Sequence, residues 1–231
     1  MCHNGYINAT FADIRSFIEG GHDKMAFFRK WQNIAFFSFV VAAVVAIGGG
    51  LYYMMAWGGQ SLPVAGQAPN FTATDVTGKQ VSLNKLDGKI RLVTWFYTNC
   101  TDACPITAYQ MELIQNKLEQ QGTFGKKVVL VSMTLDPKRD TIPVLQKWSS
   151  EFHANYTGWY FLRATPLETL NVLKESGIQV KETNPGTLDH LLKTELIDQN
   201  GNIRATYTTA KLDVNQVVHD MNNLISRENA G

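Results

Sequence analysis

The chain has 231 residues, of which 45% are hydrophobic and 18% are charged, and its formal net charge is +1. This composition is typical of a folded protein and excludes a mainly disordered one. Residues 58–231 carry 17 basic and 17 acidic residues, so they offer no basic surface for DNA or RNA. We therefore expect no nucleic-acid partner.

A long uncharged segment lies near the N-terminus. Residues 34–57 are 24 residues without Asp, Glu, Lys or Arg. As a helix they would be about 36 Å long, enough to cross a hydrocarbon core of ~30 Å, so we predict a single transmembrane anchor. Four basic residues precede the segment and the next one is Lys79, which predicts a cytoplasmic N-terminus and an extracytoplasmic domain at the cell membrane. The alternative is a cleaved signal peptide, whose apolar region is usually only ~7–15 residues long.

The anchor divides the chain into predicted parts. Residues 1–33 form a cytoplasmic tail, and residues 34–57 form the anchor. Residues 58–69 contain Gly and Pro at positions typical of a linker, and residues 70–231 form the folded domain.

Strand-like and helix-like segments alternate through the folded domain. Apolar runs, helical spacing and turn signals predict, in chain order, a hairpin at 71–83, a strand at 90–97, a helix at 106–118, a strand at 127–135, a helix at 141–152, a strand at 159–164, a helix at 166–176, a hairpin at 192–208 and a helix at 213–226. This order predicts an α/β domain with a mixed sheet between helices and a β-hairpin at its N-terminus.

Two cysteines lie where a buried strand is followed by a helix. Cys100 and Cys104 occur in TNCTDACP, and Pro105 favours a helix whose N-cap is Cys104. The positive end of the helix dipole favours thiolate over thiol there. Two thiolates select a soft ion such as Cu(I), and also Zn(II). The alternative is a structural disulfide, which is common in exported proteins.

Further polar residues are candidates to complete such a site. His190, in TLDHLLKTELIDQNG, lies at the entrance of the late hairpin, at the predicted sheet end that also holds the Cys100 loop. Neutral imidazole suits copper, although on this pattern alone a surface histidine is the commoner case. Asp136, in an Asp-Pro turn, is either a turn residue or a carboxylate that orients a ligand or attracts a cation. No role is assigned to the other histidines, which are His3, His22, His153 and His219.

Four motifs, in this order, together resemble the Sco (SenC) family. They are APNF with the Asp and Gly that follow it at 68–78, CxxxCP at 100–105, SMTLDPKRDT at 132–141 and DH…LID..G at 189–201. The family consists of copper chaperones that assemble the dinuclear copper centre of cytochrome c oxidase. The resemblance covers residues 66–226.

The resemblance implies a thioredoxin-like fold with a copper site. Cys100, Cys104 and His190 would be the copper ligands, with Asp136 near them. Leu191 departs from the family pattern, which commonly has a small hydroxyl residue after the histidine. A bulkier neighbour leaves the imidazole in place but changes how the loop packs.

Two functions follow from this resemblance. The first is a membrane-anchored metallochaperone that receives Cu(I) or Cu(II) from an unidentified donor and passes it to cytochrome c oxidase subunit II, without catalysing a reaction. The alternative is a thiol–disulfide oxidoreductase, in which Cys100 and Cys104 form a redox-active disulfide and reduce the cysteines of the oxidase copper site. The CxxxC spacing, one residue longer than the redox CxxC, favours copper. A peroxidase of the peroxiredoxin type would leave a histidine ligand without a purpose.

Overall fold

The computed structural model describes residues 36–52 and 62–228, which belong to two separate units of the chain. Residues 36–52 are helical and form α1. In these two ranges, no helix is both long enough and apolar enough to cross a membrane. The predicted tail at 1–33 lies outside the described residues, as do residues 34–35 and 53–61 of the predicted anchor and linker.

The second unit is built on β-strands. In chain order they are β1 (Gly66–Gln67), β2 (Thr72–Asp75), β3 (Gln80–Ser82), β4 (Ile90–Phe96), β5 (Val128–Thr134), β6 (Trp159–Arg163), β7 (Val180–Asn184), β8 (Thr187–His190), β9 (Thr194–Ile197) and β10 (Asn202–Tyr207). Within residues 62–228 they form an eight-stranded sheet of order β1-β10-β9-β4-β5-β6-β2-β3 and a separate hairpin, β7–β8. The pairs β4–β5 and β5–β6 are parallel, and the other neighbours are antiparallel.

Helices cover this sheet and bury its central strands. They are α2 (Ala103–Gln120), α3 (Ile142–Ser150), α4 (Pro166–Glu175) and α5 (Val214–Glu228), with a short 3-10 turn at Leu83–Leu86. Helix α2 contacts α5 and β5, α5 contacts β4, and α3 contacts β6. Every residue of β4 and β5 is buried, as expected for parallel strands with both faces covered.

The predicted mixed α/β order and the N-terminal hairpin, now β2–β3, are confirmed. The hairpin β7–β8 was not predicted, since its strands are mostly exposed and polar and show no apolar alternation. It turns at Pro185 and Gly186, and Gly186 has a φ of 81° that glycine adopts without strain.

The arrangement of β4 and β5 determines where the site lies. The two strands are parallel, and their last residues, Phe96 and Thr134, pair with each other. The loops that follow, residues 97–102 and 135–141, therefore leave the same edge of the sheet. Cys100 lies in the first loop, and Asp136 lies in the second.

Candidate metal centre

The two cysteines lie side by side at the start of α2. Cys100 is half-buried in the loop before the helix, while Cys104 is 3% exposed in its first turn. Neither forms a disulfide, and the main-chain N–H of Cys104 donates to Cys100 Sγ at 3.3 Å. The prediction that Cys104 is the N-cap is wrong, because Asp102 is the N-cap and α2 begins at Ala103. Pro105 is tolerated because N–H groups throughout the first turn lack an intrahelical acceptor.

The proton distribution between the sulfurs is unequal. The pKa of Cys100 is lowered to about 5, mainly because the Cys104 thiol donates a hydrogen bond to its sulfur. Main-chain N–H groups of Cys104, Asp102 and Ala103 also donate to this sulfur and lower the pKa further, whereas burial raises it. The same shared hydrogen bond, together with burial, raises the pKa of Cys104. Cys100 is therefore the thiolate at neutral pH. The N-cap position predicts a thiolate at Cys104, whereas the N–H groups at the start of the helix point at Cys100.

His190 ends β8 and offers one free nitrogen. Its Nδ1 lies 3.0 Å from the Leu191 carbonyl oxygen, which can only accept, so Nδ1 carries the hydrogen and Nε2 keeps its lone pair in the neutral ring. The imidazole contacts the Tyr97 ring edge to face, with centroids 6.0 Å apart. In the described part of the chain, there is no cluster of three or more His, Cys, Asp or Glu side chains that could hold a metal ion. The structure thus brings Cys100 and Cys104 together, but does not group His190 with them.

Two residues missed by the sequence analysis join the Cys100 loop to the hairpin β7–β8. The Tyr97 hydroxyl donates to the Leu188 carbonyl at 3.0 Å and accepts from the Leu188 N–H at 3.2 Å. Asn99 Nδ2 donates to the Gly186 carbonyl at 2.8 Å. The signal that could have indicated them is their position beside Cys100, just after a buried strand.

Asp136 acts on the same hairpin through an arginine. It is 6% exposed and accepts a hydrogen bond from Arg139 Nε, and Arg139 Nη1 donates to Glu182 Oε1 at 3.0 Å. The Gly186 N–H also donates to Glu182 Oε1, at 2.8 Å. These two donors hold the pKa of Glu182 below its usual value. The carboxylate predicted near the site is thus linked to the strand pair that carries His190.

Asp140 is the carboxylate that holds the Cys100 loop itself. It is 1% exposed and accepts from the Thr98 hydroxyl at 2.5 Å, from the Thr98 N–H at 3.2 Å and from the Thr134 hydroxyl. Burial raises its pKa in spite of these hydrogen bonds, and its charge contributes to the raised pKa of Cys104. Asp140 is not evident from the sequence, because Asp136 and Asp140 lie in one turn and the residue pattern does not show which side chain points inward.

The chain is similar to proteins of one known family. The SCO1/SenC family model matches residues 61–226. A SCO1 protein homolog of Bacillus subtilis is 30% identical over 112 residues, which are 48% of this chain and 56% of that protein. ScoI of Bradyrhizobium japonicum, solved with copper bound, has a TM-score of 0.60 and 25% identity, and the match covers 68% of this chain and 99% of that one.

A structure of BsSco, described as a member of the Sco family of cytochrome c oxidase assembly proteins, has a TM-score of 0.61 and 25% identity, over 70% of this chain and 95% of that one. The chain spans little more than half the length of the Bacillus subtilis relative. The likeness to these structures confirms the thioredoxin-like α/β fold. Because the family model matches well over half of its residues, the chain belongs to the SCO1/SenC family.

Proposed function

We propose that this protein is a membrane-anchored copper metallochaperone for assembly of the dinuclear copper centre of cytochrome c oxidase. Copper would be held by Cys100, Cys104 and His190. The observation that carries the proposal is the pairing of the two cysteines at the start of α2, where the Cys104 N–H donates to Cys100 Sγ at 3.3 Å and the pKa of Cys100 is lowered to about 5. Family membership, the copper bound in the Bradyrhizobium protein and the assembly role given to BsSco support it.

The donor atoms fit copper in both oxidation states. Two thiolates satisfy linear Cu(I), and an added imidazole Nε2 makes a site that also suits Cu(II). Cys104 keeps its proton in the metal-free protein, so copper binding would release it. Because Cys100 and His190 are only half-buried, the cargo could be received from a donor and passed to oxidase subunit II at this surface.

The same cysteines favour one alternative function. A low-pKa, half-buried Cys100 beside a protonated Cys104 is the arrangement of an attacking thiolate with a resolving thiol. In that role the pair would cycle between dithiol and disulfide and would reduce the cysteines of the oxidase copper site.

Delivery outside the cytoplasm requires the domain to be on that side. We include in the proposal a cytoplasmic tail at 1–33, an anchor at 34–57, a linker at 58–69 and an extracytoplasmic domain at 70–231. The support is the charge pattern, with basic residues before residue 34 and none from there to Lys79.

A copper titration of the full chain in detergent tests the proposed function. With the cysteines reduced, the protein should bind one copper ion tightly, and Cu(II) should give a sulfur-to-metal charge-transfer band. The disulfide form should bind copper weakly, because its sulfurs are no longer thiolates. Equal affinity in the two forms would refute this site and leave the thiol–disulfide function as the better account.

A further inference from the structure

Tyr97 contacts both halves of the proposed site. It follows β4 directly, three residues before Cys100, and is 4% exposed. Its main-chain oxygen accepts from the Cys100 N–H at 3.2 Å, and its ring contacts the His190 ring. A single residue therefore contacts Cys100 through its main chain and the candidate imidazole through its side chain.

The hydroxyl of Tyr97 fixes β8 more closely than a single hydrogen bond would. It bonds both main-chain groups of Leu188, donating to the carbonyl and accepting from the N–H. His190 is two residues further along the same strand, and residues two apart lie on one face of a strand. Because the main chain is held at Leu188, the position of His190 and the face of β8 on which it lies are also fixed.

The hairpin depends on such contacts, because it is not part of the main sheet. Strands β7 and β8 pair only with each other in the described residues, and an isolated two-stranded hairpin is marginally stable in water. Its turn is held by Asn99 and by Glu182. Near its His190 end, the contacts to the rest of the domain include those of Tyr97.

We propose that Tyr97 is a positioning residue, whose hydroxyl holds β8 so that His190 stays beside the loop that carries Cys100. This inference rests on the proposed copper function. It assigns Tyr97 no contact with copper: the residue acts through Leu188 and His190. The alternative is that Tyr97 is an ordinary core residue, whose hydroxyl makes hydrogen bonds to Leu188 without affecting the position of His190.

Tyr97→Phe removes the hydroxyl and keeps the ring. In the full-length protein we expect Cu(II) affinity to fall about 10-fold, the low end of the effect of losing a residue that orients a metal ligand, while Cu(I) affinity stays within twofold because two thiolates satisfy it. The matched control is Tyr207→Phe. Its hydroxyl donates to Asp220 Oδ2 at 2.7 Å, and its loss should leave both affinities unchanged.

A double-mutant cycle separates positioning from general stabilisation. His190→Ala should lower Cu(II) affinity, and adding Tyr97→Phe to it should cause no further loss, because the residue that Tyr97 positions is already gone. A full additional loss in the double variant, or equal losses for Cu(I) and Cu(II), would overturn the inference. If His190→Ala itself leaves Cu(II) affinity unchanged, the proposed three-ligand site fails first, and the positioning role fails with it.

A metal-free measurement completes the test. Amide hydrogen exchange at Leu188 should become faster in Tyr97→Phe, because its N–H loses its acceptor, and should stay unchanged in Tyr207→Phe. Unchanged exchange at Leu188 in Tyr97→Phe would show that the hydroxyl does not hold β8 and would refute the inference whatever the copper affinities are.

Discussion

Gly186 offers a quantitative test of how the hairpin β7–β8 is held on the Cys100 loop. Its φ of 81° lies in the left-handed region, which costs an L-residue about 1–2 kcal/mol. A Cβ at this position would also lie 3.0 Å from Asn99 Nδ2. Gly186→Ala therefore strains the backbone and pushes away the side chain that donates to the Gly186 carbonyl.

The matched control is Gly201→Ala. Gly201 has a φ of 86° in the β9–β10 turn, and a Cβ there meets nothing within 4 Å. Both variants share the backbone strain and the reduced freedom of the unfolded chain. Their difference in unfolding free energy should therefore report the lost hydrogen bond from Asn99, which is about 0.5–1.5 kcal/mol.

Equilibrium urea unfolding of a 61–231 fragment, with cysteines reduced, measures both variants. We expect Gly186→Ala to be less stable than Gly201→Ala by about 1 kcal/mol. Adding Asn99→Ala to each should remove this difference. Equal stabilities, or a difference that persists without Asn99, would refute the described contact between the loop and the hairpin.

Three further outcomes follow from the site and the topology. The rate at which iodoacetamide alkylates reduced Cys100 should rise with pH to a plateau, with its midpoint near pH 5, because the thiolate is the nucleophile and persists above that pKa. Cys104 should react only at higher pH, because its pKa is raised. A Cys100 midpoint above pH 8 would contradict the assignment. Asp140→Ala leaves the Thr98 N–H and hydroxyl without their acceptor and should lower the urea-unfolding free energy by about 3 kcal/mol, whereas a loss under about 0.5 kcal/mol would show that the carboxylate does not hold the loop. If the proposed anchor at 34–57 is present, the full chain should stay in membranes after a carbonate wash, and added protease should digest the domain on intact spheroplasts; digestion only after lysis would show the opposite topology.

The sequence predicts the central fold well because burial dominates there. Residues 90–97 and 127–135 are rich in apolar residues, and the parallel strands β4 and β5 that form within them are wholly buried. Helix α2 also shows its buried residues at helical spacing. Apolar periodicity is a direct record of which face is removed from water, so these elements needed no tertiary information.

The hairpin that carries His190 could not be predicted in the same way. Strand β7 is almost entirely exposed, and β8 alternates only between exposed and partly exposed residues. Its position depends on contacts with Tyr97, Asn99 and Arg139, which are distant in sequence. Such contacts leave no periodic signal, although the Pro185-Gly186 pair marks the turn.

The site was partly predictable for a related reason. The position of Cys100 and Cys104 at a strand-to-helix junction indicated their proximity, and the structure confirms that proximity. Which sulfur is the thiolate depends on where individual N–H groups point, and this depends on where α2 begins, which is two residues earlier than predicted. The same limit applies to Asp136 and Asp140, whose different roles depend on side-chain direction.

The central claim is that copper binds to two sulfurs and to the His190 imidazole. X-ray absorption of the copper-loaded protein measures this ligand set directly, in the wild type and in two variants. We expect two sulfur neighbours and one imidazole-nitrogen neighbour for Cu(II) in the wild type. That nitrogen should be lost in His190→Ala and retained in His153→Ala, whose ring is paired with Glu112 at 2.9 Å. An imidazole nitrogen that persists in His190→Ala, or a single sulfur in the wild type, would contradict the account.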